Sequence, residues 1–375
     1  MQGTSTGLRR LIAATALVGA LGIPAEPAGA ARGQSLNLAV GLSTWYDGNL
    51  LQYSENQIGQ LESGLFPDRF SIEFKDNATF NPSLALTWEL DRGGGRRQSL
   101  RLKGDGEFNG RNSTADHRSA SLTWRETFHG GSRFTARGYY LPSYYLRQLK
   151  DVTSGLYERG QFSLMIGGAD WSQAFKHGVQ AGLGYQLEDR GYSPFFPERT
   201  STTHQGVLSL GFRELPDHGV LNVAAGYRKS RANGADDPGG SASTVPDVSY
   251  HGWFADLSGR GEFGRKGNLR ITGDFDYKME SRAYESDRPA DRSHEGRSDF
   301  ANILEVGLRA QFRPHWTLRG FDRYDTNHAT YGGPAPLTSD PSSYHQNLAG
   351  IEIGWSGDLW TQARGGQKPD AEGGD

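Results

Sequence analysis

The sequence contains no cysteine. That excludes disulfide bonds, thiolate metal sites and a lipid anchor on an N-terminal cysteine. Apolar residues are also scarce. They make up 35% of the 375 positions, and mean hydropathy is -0.64. Globular chains are usually about 45–50% apolar. The one long apolar run covers residues 11–23, which excludes a bundle of membrane-spanning helices. Charge of one sign is lacking too: the formal net charge is -3, with no basic excess to meet nucleic acid. What is abundant is glycine, with 52 residues, and aromatics, at 11%. So many rings do not suit a disordered, solvating chain. Many glycines, many aromatics and few aliphatics fit an all-β chain rich in turns.

The N-terminus reads as an address. Arg9 and Arg10 precede LIAATALVGALGI, and the small-residue stretch Ala28-Gly29-Ala30 follows. A basic region, a 13-residue apolar stretch and an A-x-A site make a secretory signal, too short for a spanning helix. We expect residues 1–30 to be a signal peptide, 31–360 the folded body and 361–375 a polar tail. Removing residues 1–30 takes away Arg9, Arg10 and Glu26, leaving 38 basic and 42 acidic residues.

Beyond residue 34, apolar residues recur with period two, as in strands with two unlike faces. In 269–280, Leu269, Ile271, Phe275, Tyr277 and Met279 alternate with Arg270, Thr272, Asp274, Asp276, Lys278 and Glu280. In 84–90, Leu84, Leu86, Trp88 and Leu90 alternate with Ala85, Thr87 and Glu89. About fourteen such segments are expected (12–16 allowing for misread boundaries), many longer than the usual 5–6 residues. Connections alternate between short Gly- or Pro-bearing turns, such as 93–97 and 129–131, and long polar loops, such as 48–80, 231–247 and 283–297. A soluble sandwich would alternate as well, but with its charges outward. Long strands, regular loop asymmetry and aromatics near strand ends favour a closed transmembrane barrel. Those aromatics are Trp45 and Tyr46, Tyr139 and Tyr140, Tyr144 and Tyr145, Trp253 and Phe254, Trp316, Tyr324, Trp355 and Trp360.

On these features the chain resembles a bacterial outer-membrane β-barrel of the porin-like kind, over residues 35–357. Tyr46-Asp47-Gly48-Asn49 is similar to the YDxN element that opens some porin barrels linked to exopolysaccharide export. The resemblance implies a Gram-negative outer-membrane location, short periplasmic turns and long extracellular loops. Implied partners are outer-membrane lipid, the barrel-assembly machinery, and a saccharide or small polar solute, with a homo-oligomer compatible. Many such proteins end on an aromatic residue as an assembly signal; here Trp355 or Trp360 takes that place.

If the apolar face meets lipid, the polar face lines the lumen. The expected lining is Arg101, Lys103, Asp105 and Glu107; Arg137; Asp256; Arg270, Asp274, Asp276 and Lys278; Glu305 and Arg309; Arg319 and Arg323. Opposite charges there either pair across strands or form a selectivity field. In the first long loop, Ser54 and Gln57 stand at capping-box spacing, followed by Ile58, Leu61 and Leu65. A short helix is expected, lying inside the lumen or over the rim. No catalytic, cofactor or metal constellation emerges. His129-Gly130-Gly131-Ser132 falls in a turn, and Asp236-Asp237-Pro238-Gly239-Gly240 reads as a solvated loop. The expected function is a non-enzymatic outer-membrane channel for small polar solutes or saccharides. The alternatives are a structural or adhesive barrel with a closed lumen and the barrel of a polysaccharide-export system.

Overall fold

The computed structural model describes residues 33–215, 219–313, 315–332 and 343–363. The signal peptide expected at 1–30 and most of the expected tail lie outside them. Fourteen strands form one closed antiparallel barrel. They are β1 (Gly33–Asp47), β2 (Asn77–Gly93), β3 (Arg96–Asn109), β4 (His117–Thr127), β5 (Ser132–Lys150), β6 (Tyr157–Ala174) and β7 (Val179–Tyr192), followed by β8 (Ser201–Leu215), β9 (Gly219–Ala232), β10 (Tyr250–Lys266), β11 (Leu269–Tyr284), β12 (Ser298–Phe312), β13 (Trp316–Thr330) and β14 (Tyr344–Ala363). Each strand pairs with its sequence neighbours, and β1 closes on β14 from Gly33↔Ala363 to Asp47↔Leu348. Among the described residues no helix is long and apolar enough to cross a membrane.

The two rims differ as the sequence implied. One carries tight turns. At the β2–β3 hairpin, Gly93, Gly94 and Gly95 all have positive φ, a conformation that a side chain with a Cβ disfavours. The other rim carries the long loops, here L1 (48–76), L2 (110–116), L3 (151–156), L4 (193–200), L5 (233–249) and L6 (285–297). The last strand runs to Ala363, so the pairing with β1 extends past the expected limit of 357.

Partnered residues in an antiparallel ladder share a face. Following the register places Phe80, Pro82, Leu84, Leu86, Trp88 and Leu90 of β2 together with Leu100 and Leu102 of β3, and Leu304, Val306 and Leu308 of β12 with Ile271 and Phe275 of β11. These side chains are widely accessible: Leu308 is 61% exposed and Leu102 54%. From Phe80 to Leu90 the strand rises about 33 Å. Tilted as barrel strands are, that gives an apolar band roughly 25 Å tall, the height of a hydrocarbon-facing belt.

The adjacent aromatic pairs divide between the faces. Tyr46, Tyr140, Trp253, Tyr324 and Trp360 stand exposed on the outer face. Trp45, Tyr139, Tyr144 and Phe254 share the other face. Period two makes this unavoidable for consecutive residues.

The outward apolar band yields a test. Val306→Arg, at the middle of the outer row of β12, is expected to lower bilayer-folded stability by about 2–4 kcal/mol. Ser258→Arg, on the opposite face across from Asp276, is expected to cost under about 1 kcal/mol. Denaturant titration in lipid vesicles measures both.

Candidate functional site: the charged inner face

All fourteen residues expected to line the lumen fall on one face. The ladder partners Lys103 with Ser121 and Tyr139, Thr123 with Arg101 and Arg137, Asp256 with Lys278, Asp276 with Glu305, Glu305 with Arg323, and Arg309 with Thr272 and Arg319. That face is concave. Arg190 on β7 lies within electrostatic reach of Tyr144 on β5 and of Tyr250 on β10, which only the inside of the cylinder permits.

Three of the expected lining arginines are held by carboxylates. Arg319 Nη2 contacts Asp274 Oδ2 at 2.6 Å and Glu305 Oε1 at 2.7 Å, and its Nη1 reaches Glu352 Oε1 at 3.3 Å. One guanidinium thus ties β11, β12, β13 and β14 together, at 10% side-chain exposure. Gly307 leaves the room: a Cβ there would sit 2.7 Å from the Arg319 guanidinium nitrogens. Arg270 pairs with Glu262 at 2.5 Å, and Arg137 pairs with Asp170.

Toward the long-loop rim the lining becomes arginine and aromatic. Arg190 pairs with Glu188 at 2.7 Å and lies over the Phe162 ring. Arg228 and Arg282 both hold Glu280, at 2.9 and 2.6 Å, while stacking on Phe254 and Tyr250. Arg297 pairs with Asp299 at 2.5 Å over Tyr284. Our sequence reading missed Arg190, Arg228, Glu280, Arg282 and Arg297 as one belt. Their period-two placement was visible, but their convergence from separate strands was not. Arg190 and Arg282 keep 36% and 34% of their side chains accessible.

L1 lies across the mouth. Its helix, α1 (Glu55–Glu62), starts at Ser54 with the expected capping box: Ser54 Oγ accepts from the Gln57 amide, and Gln57 Oε1 accepts from the Ser54 amide. Ile58 and Leu61 pack onto a cluster of Leu51, Tyr53, Ile72, Ala115 and Tyr145. Leu65 lies past the helix end and is exposed. Arg147 of β5 donates to the Leu51 carbonyl at 2.9 Å and stacks on Tyr53. The loop thus leaves β1 and docks on β5 at the level of the loop ends.

The Tyr46-Asp47-Gly48-Asn49 element anchors that crossing. Asp47 Oδ1 accepts from the Asn49 amide at 2.8 Å, and Gln346 Nε2 donates to Asp47 Oδ2 at 2.7 Å. Asn49 Nδ2 donates to the carbonyls of Tyr53 and His345, and Asn49 Oδ1 accepts from the Tyr53 amide. Asp47 and Asn49 therefore join the β1–β14 seam to L1.

L5 and L6 are locked together above the mouth. Asp291 accepts from the Asp247 amide at 2.8 Å, from Ser286 at 3.1 Å and from His294 Nδ1 at 2.7 Å. Burial pushes the Asp291 carboxyl up, but the hydrogen bonds from His294, Asp247 and Ser286 outweigh it and hold the group below its usual range. Burial holds the His294 imidazole down, with Arg199 and Arg297 acting in the same sense against the pull of Asp291. The pair is thus a neutral imidazole donating to a carboxylate. Among the described residues, no group of three or more His, Asp or Glu is arranged to hold a metal.

No family model matches the chain, and no curated protein sequence matches it. Solved structures do show similarity. One is a "bacterial polysaccharide outer membrane secretin", at 10% identity and a TM-score of 0.44, covering 86% of this chain and 98% of that one. Another is the outer-membrane channel DcaP of Acinetobacter baumannii, at 12% and 0.42, covering 86% and 97%. A third is an anion-selective porin from Comamonas acidovorans, at 11% and 0.38, covering 87% and 99%. The strand pairing itself defines the class: a closed, fourteen-stranded antiparallel β-barrel.

Asp291 and His294, the L6 pair that holds the Asp247 amide of L5, both have depressed folded-state pKa values. Their stabilisation is therefore complete at neutral pH and is lost as pH falls below the ordinary histidine value of about 6.5 and on into the carboxylate range. Hydrogen exchange of residues 285–297 is expected to accelerate on acidification. Asp291→Asn is expected to show the fast exchange already at pH 7.

Proposed function

We propose that the protein is an outer-membrane channel for passive diffusion of small polar solutes or saccharides, exported by its N-terminal signal and inserted with the long loops outward. The observation that carries this reading is the two-sidedness of one closed sheet: an apolar belt outside and an accessible charged surface within. Hydrocarbon offers no hydrogen bonds, so a closed barrel is the β-architecture that can cross it. An interior of mixed-sign side chains then keeps water. No chemistry is required of the site. Its work is to exclude lipid, hold water and set the field that a solute crosses.

Arg190, Arg228, Arg282 and their carboxylates form the narrow zone in this reading, with L1 restricting access above it. A second reading, a structural barrel with a closed lumen, draws support from the way L1 docks on β5 and L5 locks onto L6. The partial accessibility of the arginine belt favours the channel.

Planar-bilayer recording on the purified, heat-modifiable protein separates the two. We expect stepwise ohmic conductance. A folded protein that never conducts would sink the channel reading. Deleting residues 54–64 is expected to raise conductance or shorten closures if L1 restricts the mouth, and no change would remove L1 from the pathway.

A further inference from the structure

The inner face is not evenly compensated. On the β10–β14 wall Arg270 and Arg319 hold Glu262, Asp274, Glu305 and Glu352, and Arg309 is a lining arginine there that makes no ion pair among the described residues. The β3–β5 wall differs near the short-turn rim. Register puts Arg97, Thr127, Arg133 and Ser172 in one row, Arg125 and Thr135 in the next, and Arg101, Thr123 and Arg137 in the one above. With strands about 4.8 Å apart, Arg97 and Arg133 flank Thr127 roughly 10 Å from each other. Arg213 of β8 closes the group by donating to Gln180 Oε1 at 3.3 Å, and Gln180 in turn donates to Ser172, the cross-strand partner of Arg133.

Arg137 is occupied by Asp170, and Lys103 by Asp105. Arg97, Arg101, Arg125 and Arg133 make no ion pair among the described residues. Glu89 and Asp91 of β2 border the group, Asp91 opposite Arg97, and neither is within ion-pair distance of it there. The electrostatic neighbours of Arg133 include Arg125 and Arg213, and its buried Nε has no hydrogen-bond partner. Arginines this close repel one another. A planar fork that finds no carboxylate in the protein is free for one from outside.

We propose that Arg97, Arg125, Arg133 and Arg213 form a binding site for a multivalent carboxylate solute at the short-turn end of the lumen. The spacing of the forks lets two carboxylates of one molecule be held at once, which a monovalent anion cannot exploit. Arg101, one row above, is the next contact inward, so the site hands its ligand toward the mixed-charge middle of the barrel. The inference rests on the channel reading for its purpose, but not for its existence.

Citrate serves as the probe and acetate as the monovalent control, with the full-length folded protein in detergent at low salt. Calorimetric titration is expected to show citrate binding that falls by about tenfold or more in the triple variant Arg97→Gln, Arg125→Gln, Arg133→Gln. The corresponding triple lysine variant, which keeps the charge but loses the fork, is expected to bind with an affinity between those of the native protein and the glutamine variant, and acetate is expected to bind far more weakly. Heat-modifiability on gels verifies that each variant is folded. In bilayers, citrate is expected to reduce conductance more strongly from one side than from the other, and the glutamine variant to lose that asymmetry. Equal citrate affinity in the folded glutamine variant would overturn the site. A protein that conducts but ignores citrate leaves the channel and removes the site. One that binds citrate as stated yet never conducts leaves the site and removes the channel.

Discussion

Pairing of the backbone around a complete circle is the constraint on which the rest depends. An unpaired amide or carbonyl in hydrocarbon costs several kcal/mol, and an open sheet of this length would carry two rows of them. The β1–β14 seam abolishes those edges over the whole length of β1. Asp47 and Asn49 fasten its upper end through Gln346, His345 and Tyr53. Once the circle closes, side-chain alternation has only two destinations. The same step that makes the outer surface greasy makes the inner surface ionic.

The ionic interior is arranged so that few charges stand alone. Arg319 satisfies carboxylates from three other strands, and Glu280 is shared by two arginines. Such pairing offsets the desolvation of grouped charge within a narrow cylinder. Aromatic rings beside Arg190, Arg228, Arg282 and Arg297 add cation–π contact and limit where each guanidinium can swing. The result is a lining whose shape is fixed but whose surface stays accessible. At the short-turn end Arg97, Arg125 and Arg133 make no such pairs among the described residues.

Period two made the strands and their approximate number legible without coordinates. Ile271 and Phe275 against Asp274 and Asp276 could not share a face, and they do not. The capping box at Ser54 and Gln57 was equally local and equally readable. What stayed hidden depends on closure. Nothing near Arg190 in sequence says that it will face Tyr144 and Tyr250. Nothing near Arg147 says that it will hold the Leu51 carbonyl, 96 residues away. The paired aromatics such as Trp253 and Phe254 invited a single girdle, whereas alternation sends one of each pair inward. Tyr145 was hidden for another reason: register irregularities in the upper part of β5, between Leu141 and Tyr144 and between Tyr145 and Arg147, turn it under L1.

The absence of native cysteine makes the central claim directly measurable. Leu308→Cys and Arg309→Cys place single thiols on adjacent residues of β12, one on each face. Folded in lipid vesicles, the thiol at 308 should be quenched by a lipid-dissolved reagent and ignore a charged aqueous one. The thiol at 309 should do the reverse. A reversed pattern, or two thiols equally open to bulk water, would contradict a barrel that shows its apolar side to lipid and its charges to an internal aqueous path.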